Sequence, residues 1–296
     1  MYRRDRNIAA GKGDAPKPAD GTPRRNLAMI RETKGRVKFA LNSCSPQMPH
    51  PIRTLGVIPA RLASTRLPRK VLRDIGGKPL VAWVVEAARQ CPQLDAILVA
   101  ADSEEVAETC HRIGVACEMT SPDLPSGTDR IHAISHLHPA EIYVNIQGDE
   151  PFLRPEHIDA LLKPFAMPHV EVTTIKVPCT PENIHNPNAV KVVTATDGRA
   201  LYFSRATIPY DRDAAVGHQT STAQYWKHIG LYAYRRAALE RFPPLPPSTL
   251  ERTEKLEQLR FLENGISLYV EPTEFDTVGI DTEADLNVAE QMLLSR

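Results

Sequence analysis

The feature that most constrains the fold is an alternation of short apolar runs and amphipathic segments that begins at Leu55. Four apolar runs predict strands: Leu55–Ile58, Ala96–Ala101, Val115–Met119 and Ile142–Ile146. The segments that follow them predict helices: Pro79–Gln90, one opening at Asp102, Thr128–Leu137 and Pro155–Leu162. This alternation predicts an α/β fold with a Rossmann-like, mostly parallel sheet and helices on both faces, whose ligands bind at the carboxyl ends of the strands.

The alternation of strands and helices ends at about residue 165, after which longer strands are predicted. The segments expected there are the strands Glu171–Val177, Ala189–Thr194, Leu201–Ile208 and Ile266–Val270 and the helices Thr253–Leu262 and Thr282–Leu294. We expect this half to extend the same, mixed sheet and to add a lid or interface region.

The charge distribution separates the first 54 residues from the rest. They hold 12 basic and 4 acidic residues, a net charge of +8, although the whole chain is neutral. Their Gly- and Pro-containing composition predicts that residues 1–53 are a disordered basic extension and that 54–296 form the functional domain. A basic arm for an anionic surface and a targeting peptide stay open as alternatives. If the segment is a plain extension, deleting residues 1–50 leaves activity intact.

Composition excludes several classes of protein. No run approaches the ~18 apolar residues of a membrane span, and zero net charge does not indicate a nucleic-acid binder. The five cysteines are widely spaced without a CxxC pair, which argues against a disulfide scaffold or a structural zinc site and fits a reducing cytosol. We therefore expect a cytoplasmic protein.

The first chemical motif follows the first predicted strand. Arg61, Arg66 and Lys70 fall within a span of ten residues shortly after its end, among small residues that let the backbone approach a ligand. Fixed cations around a phosphoryl group are what a triphosphate site requires, although the segment is not a Walker loop. A solvated surface loop is the alternative interpretation of this cluster.

Two carboxylates from distant segments supply the second chemical signal. Asp149 follows the strand that ends near Ile146, and Asp281 lies just before the last helix. Together with the basic loop they suggest metal-assisted phosphoryl or nucleotidyl transfer. The alternatives are a turn in which Asp149 bonds only backbone groups, and a capping box formed by Thr282 and Asp285.

These motifs resemble those of the 3-deoxy-manno-octulosonate (KDO) cytidylyltransferases from Leu55 to the C-terminal helix. The matching segments are IPARLASTRLPRK (58–70), SGTDR (126–130), NIQGDEP (145–151), NPNAVKVV (186–193), ALYFSRATIPYDRD (200–213), KHIGLYAYR (227–235), LEQLRFLENG (256–265) and GIDTEADL (279–286). The resemblance implies a fold of the nucleotide-diphospho-sugar transferase type. It also implies Mg²⁺-dependent transfer of CMP from CTP to the anomeric hydroxyl of KDO for lipopolysaccharide biosynthesis, in a cytoplasmic homodimer.

The resemblance also implies a role for each matching residue. The residues implied for the nucleotide are Pro59, Ala60, Arg61, Lys70, Ser126 and Gly127. Arg61, Arg66 and Lys70 are the implied catalytic cations, and Asp149 and Asp281 the implied Mg²⁺ ligands. The residues implied for the sugar are Arg130, Gln147, His228, Tyr232, Glu257 and Gln258, with Arg130 as the partner of its carboxylate.

Two other functions remain open at the level of the sequence. The sugar could be another acid, such as 8-amino-KDO or sialic acid, because a few pocket residues would decide between them. A catalytically silent nucleotide-binding protein is the second alternative, although such a protein has no need for both metal carboxylates.

Overall fold

The computed structural model describes residues 52–64, 66–212 and 224–295. The predicted basic extension lies outside the described residues except for its last two positions, so its disorder and its boundary stay predictions. Within the described part of the chain, no helix is both long enough and apolar enough to cross a membrane.

Each predicted strand is present with bounds that differ by a few residues, and the structure adds two short strands in the first half and one long strand in the second. The strands are β1 Thr54–Ala60, β2 Asp74–Ile75, β3 Lys78–Pro79, β4 Ala96–Ala101, β5 Ala116–Met119, β6 Ile142–Asn145, β7 Val172–Pro178, β8 Lys191–Thr194, β9 Ala200–Ser204, β10 Trp226–Arg235 and β11 Leu268–Pro272. In the described residues, nine of them form one sheet with the order β11-β7-β10-β6-β1-β4-β5, and β8 and β9 extend it beside β10. The strands β2 and β3 form a separate hairpin.

Parallel and antiparallel pairs share this sheet. The strand β1 runs parallel to β4 and to β6, and β4 runs parallel to β5. The long strand β10 is antiparallel to its neighbours β6, β7 and β8, while β11 returns parallel to β7. The prediction of a mixed, mostly parallel sheet is therefore confirmed.

Helices cover both faces of the sheet. The longer ones are α1 Leu80–Arg89, α2 Glu104–Arg112, α3 Gly127–Leu137, α4 Pro155–Leu162 and the C-terminal helix Glu283–Leu294. The short ones are Pro181–Ile184, Arg236–Arg241, Thr249–Glu254 and Gln258–Glu263, with 3-10 turns at Lys70–Leu72 and Lys163–Ala166. In β1, Ile58 packs into the core on one face and Val57 into the core on the other. Burial on both faces explains why the parallel strands are continuous apolar runs.

Two predicted helices differ from the structure. The helix expected to open at Asp102 begins at Glu104 with Ser103 as its N-cap, because the Asp102 carboxylate accepts a hydrogen bond from Leu62 N at 2.9 Å instead. The single helix expected over Thr253–Leu262 is broken at Lys255, whose φ of 56° is left-handed. The second short helix then begins beside the ligand cavities described next.

Candidate active site

Two adjoining cavities open at the carboxyl ends of β1 and β6, where the fold predicts ligands. The first has a volume of about 490 Å³, and the predicted residues that line it are Pro59, Arg61, Arg66, Lys70, Ser126, Gly127, Gln147, Asp149, Glu257 and Asp281. The second has a volume of about 620 Å³, and the predicted residues that line it are Arg66, His228, Tyr232, Gln258 and Asp281. We call them the nucleotide-side cavity and the sugar-side cavity.

The two cavities share Arg66 and Asp281. Arg66 Nη2 lies 2.9 Å from Asp281 Oδ2, so this ion pair stands at the junction between the cavities. Both side chains remain substantially exposed, which leaves them able to contact a ligand on either side.

Lys70 connects the two predicted metal carboxylates. Its Nζ donates to Asp281 Oδ1 at 2.9 Å and also forms an ion pair with Asp149. Burial alone would lower the pKa of Lys70, but the two carboxylates outweigh burial and raise it above its ordinary value. Lys70 is therefore a positive charge held between two acids.

The backbone holds the loops that carry these acids close together. Ile280 N donates to the carbonyl oxygen of Asp149 at 3.0 Å, which joins the two loops directly. At Gly148, a Cβ atom would lie only 2.7 Å from the carbonyl oxygen of Pro59. Glycine is therefore required there for the Asp149 loop to pack against the end of β1.

The nucleotide-side cavity keeps an unused donor. Arg61 Nη2 is buried and has no hydrogen-bond partner among the described residues. Buried donors are nearly always paired, so this atom is suited to a ligand oxygen. Ala60, by contrast, is fully buried in β1 and lies beside Pro59 and Arg61 without itself lining the cavity.

His228 and Tyr232 project from β10 toward the sugar-side cavity. Burial lowers the pKa of His228 to about 3, so its imidazole is neutral at physiological pH. Its Nε2 lies 2.9 Å from Thr174 Oγ1. The cavity wall is thus a neutral hydrogen-bonding surface at this point, which suits sugar hydroxyl groups.

Gln147 and Glu257 lie on the nucleotide side and not with the other expected sugar residues. Gln147 Nε2 donates to the Gly230 carbonyl oxygen at 3.1 Å, and the Thr128 hydroxyl donates to Glu257. Burial raises the pKa of Glu257 above its ordinary value. Gln258, the next residue along, does line the sugar-side cavity.

Arg130 is placed differently from its expected role. Its side chain is 0% exposed, its Nη1 donates to Thr120 Oγ1 at 2.6 Å and to the Ser121 carbonyl oxygen at 3.1 Å, and its Nη2 lies 3.8 Å from Asp102 Oδ2. Its Nε and Nη2, like Arg61 Nη2, are buried without a hydrogen-bond partner among the described residues, but Arg130 lines neither cavity. The assignment of Arg130 as the partner of the sugar carboxylate does not agree with this position, because the SGTDR motif turns its arginine inward on α3.

Four charged residues that line the sugar-side cavity were not predicted as site residues. They are Glu150, Lys227, Asp276 and Asp285, the last of which the sequence marked only as part of a capping box. Lys227 Nζ lies 2.8 Å from Asp276 Oδ1, and Glu150 Oε2 is buried without a partner among the described residues. Glu150 and Lys227 directly follow and precede predicted site residues in the chain, which is the signal that could have found them. Asp276 has no such signal.

Asp149 and Asp281, which both line the nucleotide-side cavity, fit a magnesium ion. Asp149 and Asp281 already share one cationic group, Lys70 Nζ, and both are partly exposed to the cavities. Within the described residues, no three His, Cys, Asp or Glu side chains cluster as metal ligands. Mg²⁺ in nucleotide sites takes one or two carboxylates and completes its shell with water and phosphate oxygens, so two acids suffice.

Comparison with known proteins places the chain among the cytidylyltransferases. The cytidylyltransferase family profile matches residues 55–270. A 3-deoxy-manno-octulosonate cytidylyltransferase from Acidobacterium capsulatum is 59% identical over 247 residues, which are 83% of this chain and 98% of that protein. The protein of the same name from Nitratidesulfovibrio vulgaris strain DP4 is 48% identical over 249 residues, 83% of this chain and 98% of its own length.

Solved structures agree with these sequence relatives. The structure of a CMP:2-keto-3-deoxy-manno-octonic acid synthetase complexed with CTP matches with a TM-score of 0.77 and 39% identity. The match covers 82% of this chain and 99% of that one. The structure of a 4-diphosphocytidyl-2C-methyl-D-erythritol synthase from Anaerococcus prevotii matches with a TM-score of 0.54 and 11% identity, over 82% of this chain and 99% of that one. At this low identity the match shows the shared fold alone.

Proposed function

This chain belongs to the 3-deoxy-manno-octulosonate cytidylyltransferases, and from that membership we propose that it transfers CMP from CTP to the anomeric hydroxyl of KDO. The products are CMP-KDO, a precursor for lipopolysaccharide biosynthesis, and pyrophosphate. The observation that carries the proposal is the pair of cavities that meet at Arg66 and Asp281, since two substrates must react at a common boundary.

The reaction is a single displacement at the α-phosphorus of CTP. The anomeric oxygen of the sugar forms a bond to that phosphorus, and the bond from phosphorus to the oxygen that bridges to the β-phosphate breaks. Pyrophosphate leaves, and the hydroxyl proton is released to solvent. Catalysis then consists of positioning the two substrates and stabilising the developing negative charge.

The residues of the nucleotide-side cavity fit the triphosphate half of this reaction. Lys70 is fixed at the acids beside the junction, and Arg61 offers a buried donor to an oxygen of CTP. We propose that Pro59, Ser126 and Gly127 border the cytidine. Preorganised charges in such a site act more strongly than charges in bulk water because the cavity is partly desolvated.

We propose that Mg²⁺ is held by Asp149 and Asp281. When bound there, it supplies Lewis-acid stabilisation of the phosphoryl oxygens. The ammonium of Lys70 lies between the same carboxylates, so a bound metal would compete with it for their oxygens. The homodimer and the cytoplasmic location stay predictions.

The test is pyrophosphate release from CTP and KDO by the full chain and by its Asp149→Asn and Asp281→Asn variants. Each variant should lose at least about 100-fold in kcat, as expected when one preorganised charged group is removed, while the circular dichroism spectrum is retained. Near-normal turnover by either folded variant would contradict its role at the metal. Turnover by the parent chain after removal of divalent ions would contradict the proposed dependence on a metal.

A further inference from the structure

Arg61 and Asp102 leave the sheet side by side. The strands β1 and β4 run parallel, and their register pairs Ala60 with Ala101, the last residue of each strand. Arg61 and Asp102 are therefore the first residues beyond the paired ends, at the edge of the sheet where the nucleotide-side cavity opens. Arg61 lines that cavity, whereas Asp102 lines neither cavity.

The Asp102 carboxylate is bonded to the loop that carries Arg61. Its Oδ1 accepts the amide hydrogen of Leu62 at 2.9 Å, from a residue 40 positions away in the sequence. Hydrogen bonds to an ionised acceptor are stronger than those between neutral groups. The contact therefore restrains the backbone directly after Arg61, at a point where the ladder of β1 has ended.

The second oxygen of Asp102 faces a buried cation. Asp102 Oδ2 lies 3.8 Å from Arg130 Nη2, and the two side chains are 8% and 0% exposed. Burial and the nearby charge of Arg61 lower the pKa of Arg130, while the charge of Asp102 opposes both effects. The two arginines are thus close enough to repel each other, and Asp102 supplies the compensating negative charge.

Arg61 depends on its backbone for its position. Its Nη2 is buried and has no hydrogen-bond partner among the described residues. A donor that is left unpaired for a ligand oxygen does not anchor its own side chain before the ligand binds. The backbone around residues 61 and 62 must then set where this guanidinium lies, and Asp102 holds that backbone.

We propose that Asp102 is a positioning residue for CTP, which keeps Arg61 at the wall of the nucleotide-side cavity through its hydrogen bond with Leu62. The inference rests on the proposed function, since it presupposes that CTP binds in this cavity. It gives a role in nucleotide binding to a carboxylate that lies outside both cavities.

The experiment measures the dissociation constant of CTP by calorimetry with Mg²⁺ and without sugar, so that no turnover occurs. Asp102→Asn keeps the size of the side chain but removes the charge that strengthens the bond to Leu62 and compensates Arg130. The dissociation constant should rise about 10-fold, the lower end of the range for a hydrogen bond to a charged group. Circular dichroism checks that the variant is folded.

Asp95→Asn is the matched control. Asp95 directly precedes β4, as Asp102 directly follows it. Its Oδ2 accepts the amide hydrogens of Arg53 and Thr54 at 2.8 Å and 2.9 Å, at the opposite end of β1. The chemistry of the contact is the same but the cavities are remote, so the affinity for CTP should be unchanged.

Double variants distinguish the positioning of Arg61 from a general loss of structure. Arg61→Gln removes the group that Asp102 is proposed to hold, so adding Asp102→Asn should weaken CTP binding by less than about 2-fold more. Lys70→Gln weakens CTP binding through a different group, so adding Asp102→Asn should still cost the full factor of about 10. A merely structural role of Asp102 would give the same factor in both backgrounds.

Unchanged CTP affinity in folded Asp102→Asn, or the full factor in the Arg61→Gln background, would overturn the inference. If Asp102→Asn does not fold, Asp102→Glu takes its place. It keeps the charge beside Arg130, but its longer side chain moves the carboxylate relative to Leu62, and it should weaken CTP binding by a similar factor. Unchanged affinity there would equally overturn the inference.

The same measurements separate this inference from the proposed function. If the parent chain does not bind CTP, the proposed function is wrong and the inference fails with it. If the parent chain binds CTP and the Asp102 variants bind it equally well, the proposed function stands and the inference alone is overturned.

Discussion

Lys70 Nζ lies 2.9 Å from Asp281 Oδ1, although 211 positions separate the two residues in the sequence. The same ammonium contacts Asp149, so one lysine holds together the two acids that we propose as magnesium ligands. The protein without metal thus neutralises these acids internally. Replacing Lys70 should therefore change how strongly Mg²⁺ stabilises the protein.

Replacing Lys70 with glutamine should increase the stabilisation of the protein by Mg²⁺. Without the ammonium, Asp149 and Asp281 repel each other more strongly, and a metal ion meets one competing cation fewer, since Arg66 still pairs with Asp281. Differential scanning fluorimetry with and without Mg²⁺ should show a lower Tm for the variant alone and a larger increase on adding the metal. Lys78→Gln, which breaks the ion pair with Glu86, is the control. Equal Mg²⁺-induced shifts in Lys70→Gln and the parent chain would show that Lys70 and the metal do not share a site.

Replacing Gly148 with alanine should impair catalysis more than stability. The new Cβ would lie 2.7 Å from the Pro59 carbonyl oxygen, so the loop that carries Asp149 must move. Displacements of this kind cost about 100-fold in rate, which steady-state kinetics would detect. Gly279→Ala is the matched control, because its Cβ would meet no atom within 4 Å. Its kcat should fall far less than the kcat of Gly148→Ala. A normal kcat in Gly148→Ala would contradict the need for close packing here.

The buried His228 should make stability depend on pH. Its folded pKa is about 3, whereas an unfolded histidine titrates near 6.5. Between these values the unfolded chain binds a proton that the native protein does not, so the free energy of unfolding falls as pH drops below about 6.5. From pH 7 to pH 5 the contribution is about 2 kcal/mol.

Urea unfolding at these two pH values tests that contribution. His228→Gln should lose less stability between pH 7 and pH 5 than the parent chain does, whatever its stability at pH 7. His111→Gln, at an exposed position on α2, should leave the difference unchanged. The same pH dependence in His228→Gln and the parent chain would contradict a neutral, buried imidazole.

Replacing Arg130 with glutamine should destabilise the fold without a selective effect on the sugar. The variant leaves the buried Asp102 without its neighbouring cation, and breaking a buried ion pair costs about 3–5 kcal/mol. Urea unfolding should show the loss, while the KM values for CTP and for the sugar should change by similar factors. Arg89→Gln, on the surface of α1, is the control. A rise in KM for the sugar alone would restore Arg130 as the carboxylate partner.

The first half of the molecule could be predicted from the sequence because its signals are local. Apolar runs such as Ala96–Ala101 correspond to strands, and strand ends lead directly into the loop of Arg61 and the loop of Asp149. The rule that ligands bind at the carboxyl ends of parallel strands then brings these loops together. Asp281 joins them in the structure through Lys70 and through Ile280 N.

The parts that could not be predicted depend on distant contacts. The antiparallel insertion of β10 between β6 and β7 brings His228 and Lys227 to the sugar-side cavity, and no local pattern marks that order. The resemblance implied that Arg130 binds the sugar carboxylate, but its side chain is buried beside Asp102, Thr120 and Ser121, which is rare for arginine. The left-handed break at Lys255 is likewise invisible to helical periodicity.

The most direct test of the central claim is product formation from three sugar acids offered in parallel. The full chain is incubated with CTP, Mg²⁺ and either KDO, 8-amino-KDO or sialic acid, and mass spectrometry identifies the cytidylylated sugar while pyrophosphate is quantified. The account predicts CMP-KDO together with an equimolar amount of pyrophosphate. If only another sugar acid gives a product, the assigned reaction type stands but the assigned substrate is wrong. No product from any of the three, in a folded protein that binds CTP, would contradict the account and favour a silent nucleotide-binding protein.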